Sequence, residues 1–115
     1  MPRRKPVPLN AWETVDAKQE CHYVRLSKSL LQSEAFKELG YSARCLYVAM
    51  TEACAGKRQF RFTRSDYLAY GIDKMTFFRA RDELVQAGFL KVVSSGKTTR
   101  KPNVYEWSLD WKGRA

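Results

Sequence analysis

Apolar residues recur along this 115-residue chain in two different periods, and the changes of period divide it into elements. After Ser42, the positions Ala43, Leu46, Tyr47, Met50, Ala53 and Cys54 follow one another at helical spacing. That stripe predicts a three-turn helix, capped by Ser42 and closed by Gly56. Gln59-Phe60-Arg61-Phe62 alternates instead, as a short strand does. Thr63-Arg64-Ser65-Asp66 has capping-box form, with Asp in place of the usual Glu or Gln. It predicts a short helix through Tyr67, Leu68 and Tyr70 that Gly71 breaks. Asp73 then reads as the N-cap of a longer helix from Lys74 to about Ala87, ended by Gly88.

Phe89 to Val93 predicts a strand, and residues 94–102 a polar, basic loop. Tyr105, Trp107, Leu109 and Trp111 then recur at every second position, the pattern of a half-buried strand with an aromatic face. These two strands and their loop are expected to form a hairpin. Toward the N-terminus, Pro2, Pro6 and Pro8 oppose helix, so residues 1–20 read as an extended arm and 21–115 as the domain. Trp12 and Val15 are the arm residues expected to pack back. His22 to Leu26 alternates weakly, as a short strand would. Ser27 is an N-cap candidate for a helix through Leu30 and Leu31, and a helix-like segment continues through Phe36 and Leu39 to Gly40.

Composition narrows this picture. The length allows one domain, and 44% hydrophobic with 13% aromatic residues is enough for a packed core. No apolar run approaches the length of a membrane span. The opening Met1-Pro2-Arg3-Arg4-Lys5-Pro6 lacks the apolar stretch of a secretory signal, so a cytoplasmic location is expected. The net charge is +9, which points to a polyanionic partner. The excess is concentrated. Residues 57–101 hold eleven Lys and Arg against four acids, Asp66, Asp73, Asp82 and Glu83. Evenly mixed signs would be the ordinary surface.

The order of elements is helix, short strand, helix, Gly turn, helix, strand, basic loop, strand. Over residues 23–111 this resembles a winged helix-turn-helix domain, most clearly from Phe62 to Leu90. The resemblance implies an α+β fold of three to four helices with a small antiparallel β-hairpin wing. It places Leu68 in the first helix of the motif, Gly71-Ile72 in the turn and Asp73 onward in the recognition helix. The opening from Tyr23 to Leu39 is similar to the N-terminal DNA-binding regions of plasmid replication initiators and to small regulators carried on bacterial mobile elements.

Helix geometry sorts the recognition helix. At about 100° per residue, Phe77, Ala80, Leu84 and Ala87 face the core, with Arg81 at the edge of that face. Lys74, Met75, Phe78 and Arg79 form the expected reading edge. The N-terminal part of such a helix enters the major groove, where Arg79 can fork onto a guanine and Met75 or Phe78 can touch a thymine methyl. Thr76 and the first-turn amides are candidates for phosphate. Lys97, Arg100 and Lys101 on the wing, Arg61 and Arg64 beside the first motif helix, and Arg3-Arg4-Lys5 on the arm are candidates for backbone or minor-groove contact. Asp82 is the one acid on the reading face. It would accept from a cytosine amine, orient Arg79, or lie beyond the groove.

The remaining reactive residues suggest no chemistry. His22 beside Cys21 falls short of a zinc set. Cys45 and Cys54, nine residues apart on one helix, are out of phase and about 13.5 Å apart in rise. Cys54 is expected in the core and Cys45 partly buried. Three thiols without a framework fit a reducing compartment. Neither an enzyme nor a cofactor is expected. The expected function is sequence-specific binding of double-stranded DNA, with a homodimer placing two motifs on a palindrome. The protein would be a transcriptional regulator or a replication or maintenance factor of a mobile element. Two alternatives stand beside it. One is a protein-interaction adaptor. The other is a single-strand binder stacking bases on Tyr105, Trp107 and Trp111, although those rings also suit a core or dimer surface. Trp12 and Trp111 are the candidates for contact between chains.

Overall fold

In the computed structural model, which describes residues 9–15, 24–94 and 104–113, the chain forms five α-helices and a three-stranded antiparallel sheet. The helices are α1 (Lys28–Leu31), α2 (Glu34–Lys37), α3 (Tyr41–Ala53), α4 (Arg64–Ala69) and α5 (Lys74–Gln86). The strands are β1 (Gln59–Arg61), β2 (Leu90–Ser94) and β3 (Val104–Trp107), in the spatial order β1-β3-β2. Two 3-10 turns, Ala11–Glu13 and Asp110–Gly113, lie at the ends.

The first helical segment divides because of one side chain. Ser27 caps α1 as expected, its Oγ accepting from the Leu30 amide at 3.2 Å. Ser33 then donates to the Leu30 carbonyl at 2.7 Å and accepts from the Phe36 amide at 3.2 Å. It closes α1 and opens α2 at once, so the continuous segment expected to Gly40 is two single turns. This is why five helices replace the three or four expected. Val24, Arg25 and Leu26 are not in a strand, since every position of the sheet is taken by β1, β2 and β3; His22 lies outside the described residues.

The α3 stripe is buried at Ala43, Leu46, Met50 and Cys54, joined by Ala49. The cap is Gly40, not Ser42, and α3 starts two residues earlier than expected. Gly40 has no side chain to offer, and the Glu83 carboxylate on α5 accepts its amide at 2.6 Å. A carboxylate there also suits the positive end of the α3 dipole. Arg44 secures the end of α2, donating to the carbonyls of Lys37 at 2.5 Å and Leu39 at 3.0 Å. Cys54 is buried as expected, whereas Cys45 is exposed, about 100° round the helix from the buried Leu46.

Along α5, Phe77, Ala80 and Leu84 are buried, and the helix packs between α3 and the sheet. β3 is central, pairing Phe60 with Tyr105 on one side and Leu90 with Trp107 on the other. The expected antiparallel pairing of the last two strands is therefore present, and residues 95–103 between them lie outside the described residues.

The aromatic strand is shorter than its alternation implies. It ends at Trp107; Ser108 is buried and Leu109 exposed, the reverse of the expected pattern. Trp111 falls in the 3-10 turn and stacks on Phe89 at 5.1 Å. Trp107 packs on Tyr47 at 5.2 Å and on Phe60 at 5.1 Å. These rings, with the fully buried Tyr105, belong to the core. Trp12 and Val15 are strongly exposed and do not pack back.

Candidate nucleic-acid interface

Register fixes which residues share an end of the molecule. Arg61 and Ser94 both pair with Val104, so these three mark the end of the sheet from which residues 95–103 depart. Both α4 and α5 begin near that end. Arg64 opens α4 three residues after Arg61. Phe77, in the first turns of α5, stacks on Phe62 at 5.8 Å and on Tyr67 at 4.5 Å. The far end of α5 leads through Phe89 to Leu90, at the opposite edge of the ladder.

The local sequence sets this geometry. Thr63 donates its amide to Asp66 Oδ2 at 2.7 Å, and its hydroxyl donates to the same oxygen at 3.0 Å, so the capping-box reading of α4 holds in its reciprocal half. The chain then turns, and Tyr70 stacks on Phe62 at 6.2 Å. Partial burial and the neighbouring Glu52 carboxylate push the Tyr70 hydroxyl up to about 12. Asp73 caps α5 as expected, its Oδ1 accepting from the Thr76 amide at 2.8 Å.

The expected reading edge is a continuous exposed strip. Lys74, Met75, Phe78, Arg79 and Asp82 are all exposed, with Met75 at 63% and Phe78 at 37%. Among the described residues, the ion pairs are Lys37–Glu34, Arg81–Asp82 and Lys91–Asp110. Lys74, Arg79, Arg61 and Arg64 belong to none of them, although the Arg79 charge lies near enough to the Asp73 carboxylate to help hold its pKa down.

Not every expected residue joins the strip. Thr76 is half-buried, and its amide is occupied by Asp73. The Met75 amide also leans on that carboxylate. The first-turn amides proposed for phosphate are thus already serving an intramolecular anion. Arg61 is exposed next to the buried Phe60, so it projects from the face of the sheet opposite α5. Lys97, Arg100 and Lys101 lie outside the described residues, as do Arg3, Arg4, Lys5, Cys21 and His22.

Asp82 does not orient Arg79. It accepts from Arg81, whose Nε and Nη2 both reach its Oδ1, at 3.2 and 3.0 Å. Adjacent helix residues do not face one another, which is why the pair was not expected. The long Arg81 stem bends back over the turn before it, and the guanidinium lies 4.8 Å from the Phe78 ring centroid. The i, i+3 spacing of Phe78 and Arg81 carried that signal. Burial works against the Arg81 charge, but hydrogen bonds with Tyr105 and Asp82 outweigh it and hold the pKa above the ordinary guanidinium value. The link from Glu83 to Gly40 spans 43 positions and had no local signal.

The Asp73 cap has a pH signature. Hydrogen bonds from the Thr76 amide and side chain, opposed only by slight desolvation, hold its carboxyl below the ordinary value. The folded state therefore favours the charged form. Its stabilising contribution is complete above the ordinary carboxylate range and disappears as pH falls through the lowered folded value. Asn also caps well but does not titrate. The thermal midpoint of the native chain should fall relative to that of Asp73→Asn once pH drops below about 4. Parallel midpoints from neutral pH down to acid would show that the cap carries no such linkage.

No helix among the described residues is long and apolar enough to cross a membrane, and no group of His, Cys, Asp and Glu there could hold a metal ion. Comparison with protein-family models, curated proteins and solved structures finds no match to this chain.

Proposed function

We propose that this protein binds double-stranded DNA sequence-specifically, with α4 and α5 acting as the helix-turn-helix, α5 as the recognition helix, and residues 95–103 between β2 and β3 as the wing. One observation carries the reading. The N-terminal half of α5 buries Phe77 and exposes Lys74, Met75, Phe78 and Arg79 at the same end of the sheet that holds Arg64 and the departure of residues 95–103. An exposed helix edge whose cations lie outside the ion pairs of the described residues, beside a basic loop, suits a major groove flanked by phosphates. The resemblance of the sequence to plasmid initiator domains and mobile-element regulators makes a role in transcription, or in replication and maintenance, the corresponding biology. A homodimer on a palindrome, in the cytoplasm, belongs to the same proposal.

The packing also bears on the rival readings. Tyr105, Trp107 and Trp111 are held by Phe60, Tyr47 and Phe89, which leaves little ring face for stacking bases. The main support for a protein adaptor was an acid on the reading face, and Asp82 is engaged by Arg81.

Selection of bound duplexes from a random pool tests the proposal. An enriched palindrome is the expected result, and no enrichment together with no duplex binding at low salt would end it. On the enriched site, Arg79→Ala should cost about 1–3 kcal/mol and relax preference at one base pair. An equal loss on every sequence would instead make Arg79 a phosphate contact.

A further inference from the structure

Three unlike side chains on α5 form one unit. The Phe78 ring is tilted against Phe77, with centroids 5.4 Å apart, and remains partly exposed. The Arg81 guanidinium covers it, and also lies 5.9 Å from the Phe77 centroid. Arg81 is held in turn by Asp82 at 3.0 and 3.2 Å and by the buried Tyr105 of β3. Met75, one turn earlier on the same strip, is the most exposed apolar side chain of α5.

Two features of this unit require an account. An exposed Phe and Met on a proposed DNA-reading edge have no hydrogen bonds to offer. An acid on that edge should repel phosphate. The major groove contains one apolar feature, the 5-methyl group of thymine, which 5-methylcytosine shares. A ring packed against both Phe77 and a guanidinium is restricted in its rotation, so it meets a methyl group at a reduced ordering cost. Asp82 Oδ1 already accepts two N–H groups from Arg81, and the paired charges reduce each other's field toward phosphate.

We propose that Phe78, clamped by the Arg81–Asp82 pair and extended by Met75, reads the 5-methyl group of a pyrimidine, and that Asp82 is a positioning residue and does not contact a base. This rests on the reading that α5 enters the major groove of a duplex. It goes further in fixing Phe78, held by Arg81, as the reader of the methyl group and in giving Asp82 a role.

The test uses the full chain and a duplex enriched from a random pool, with each thymine replaced in turn by deoxyuridine. That change removes the methyl and leaves every hydrogen-bonding group in place. At one or two positions the native chain should lose about 4-fold in affinity, the factor for one buried methyl. Replacing each cytosine by 5-methylcytosine forms the second arm; a comparable gain at a single cytosine, with no thymine responding, identifies the methylated base as the group read. Phe78→Ala should abolish the discrimination at that position. Asp82→Asn should shrink it while tightening binding to unrelated duplexes, a split that simple loss of folding cannot produce. Duplex binding with no methyl dependence anywhere overturns the clamp and leaves the duplex reading standing. A changed cytosine preference in Asp82→Asn, with methyl discrimination intact, overturns the role given to Asp82. Absence of any duplex binding overturns both readings, and the native-chain measurement requires no variant to fold.

Discussion

Raising salt from about 50 to about 200 mM should weaken duplex binding by on the order of 10²- to 10⁴-fold, the slope expected for four to seven neutralised phosphates. The candidates are few and can be counted. Lys74, Arg79 and Arg64 are exposed outside the ion pairs of the described residues, and Lys97, Arg100 and Lys101 follow on the segment after β2; Arg61, at the same end but on the sheet face opposite α5, sets the upper limit of seven. Arg81 is left out, because Asp82 already neutralises it and Tyr105 ties it to the sheet. A plot of log affinity against log salt gives the slope directly. Arg100→Ala should flatten it by about one phosphate and weaken all sequences alike. Binding that barely responds to salt would favour a protein partner in place of a duplex.

Gly88→Ala should destabilise the fold by about 2–4 kcal/mol, measured by denaturant unfolding. Two causes add at this position. Gly88 has φ of +87°, a conformation that L side chains rarely adopt. A Cβ there would also lie 2.8 Å from the Trp111 backbone nitrogen and 3.1 Å from Asp110. That nitrogen donates to the Gly88 carbonyl at 3.2 Å, and the same turn stacks Trp111 on Phe89. Relieving the clash therefore lifts the C-terminal turn and its indole from the core. Gly56 is the natural comparison. Its φ is +78°, yet nothing lies within 4 Å of an added Cβ, so Gly56→Ala should incur the backbone strain alone, about 1–2 kcal/mol. Equal losses at the two sites would mean that the Trp111 turn yields at no cost.

The two positions show how far local reading of the sequence reaches. Both glycines follow a helix in the chain, and both read as helix stops. Nothing near Gly88 in sequence announces that the 3-10 turn at Asp110–Gly113 rests against it. The candidate site divides in the same way. That Lys74, Met75, Phe78 and Arg79 share an exposed edge followed from 100° per residue and the burial of Phe77, Ala80 and Leu84. That Asp82 turns to Arg81 depended on the Phe78 ring and on Tyr105 from β3, which place the guanidinium where the carboxylate can reach it.

By itself the sequence determined the helices with a full apolar stripe, the caps at Ser27 and Asp73, the capping residues Thr63 and Asp66, and the exposed edge of α5. Each depends on contacts within about four residues, where periodicity and side-chain chemistry act directly. The split at Ser33 is equally local, its hydroxyl serving Leu30 and Phe36. Only the tertiary structure decided the rest. It decided the end of β3 at Trp107, where packing of Trp111 on Phe89 overrode an alternating pattern. It decided that Glu83 serves Gly40 across 43 positions, and that β1 joins the sheet beside β3. These outcomes turn on which distant surfaces meet, and burial of apolar area between such surfaces is large enough to overrule weak local preference.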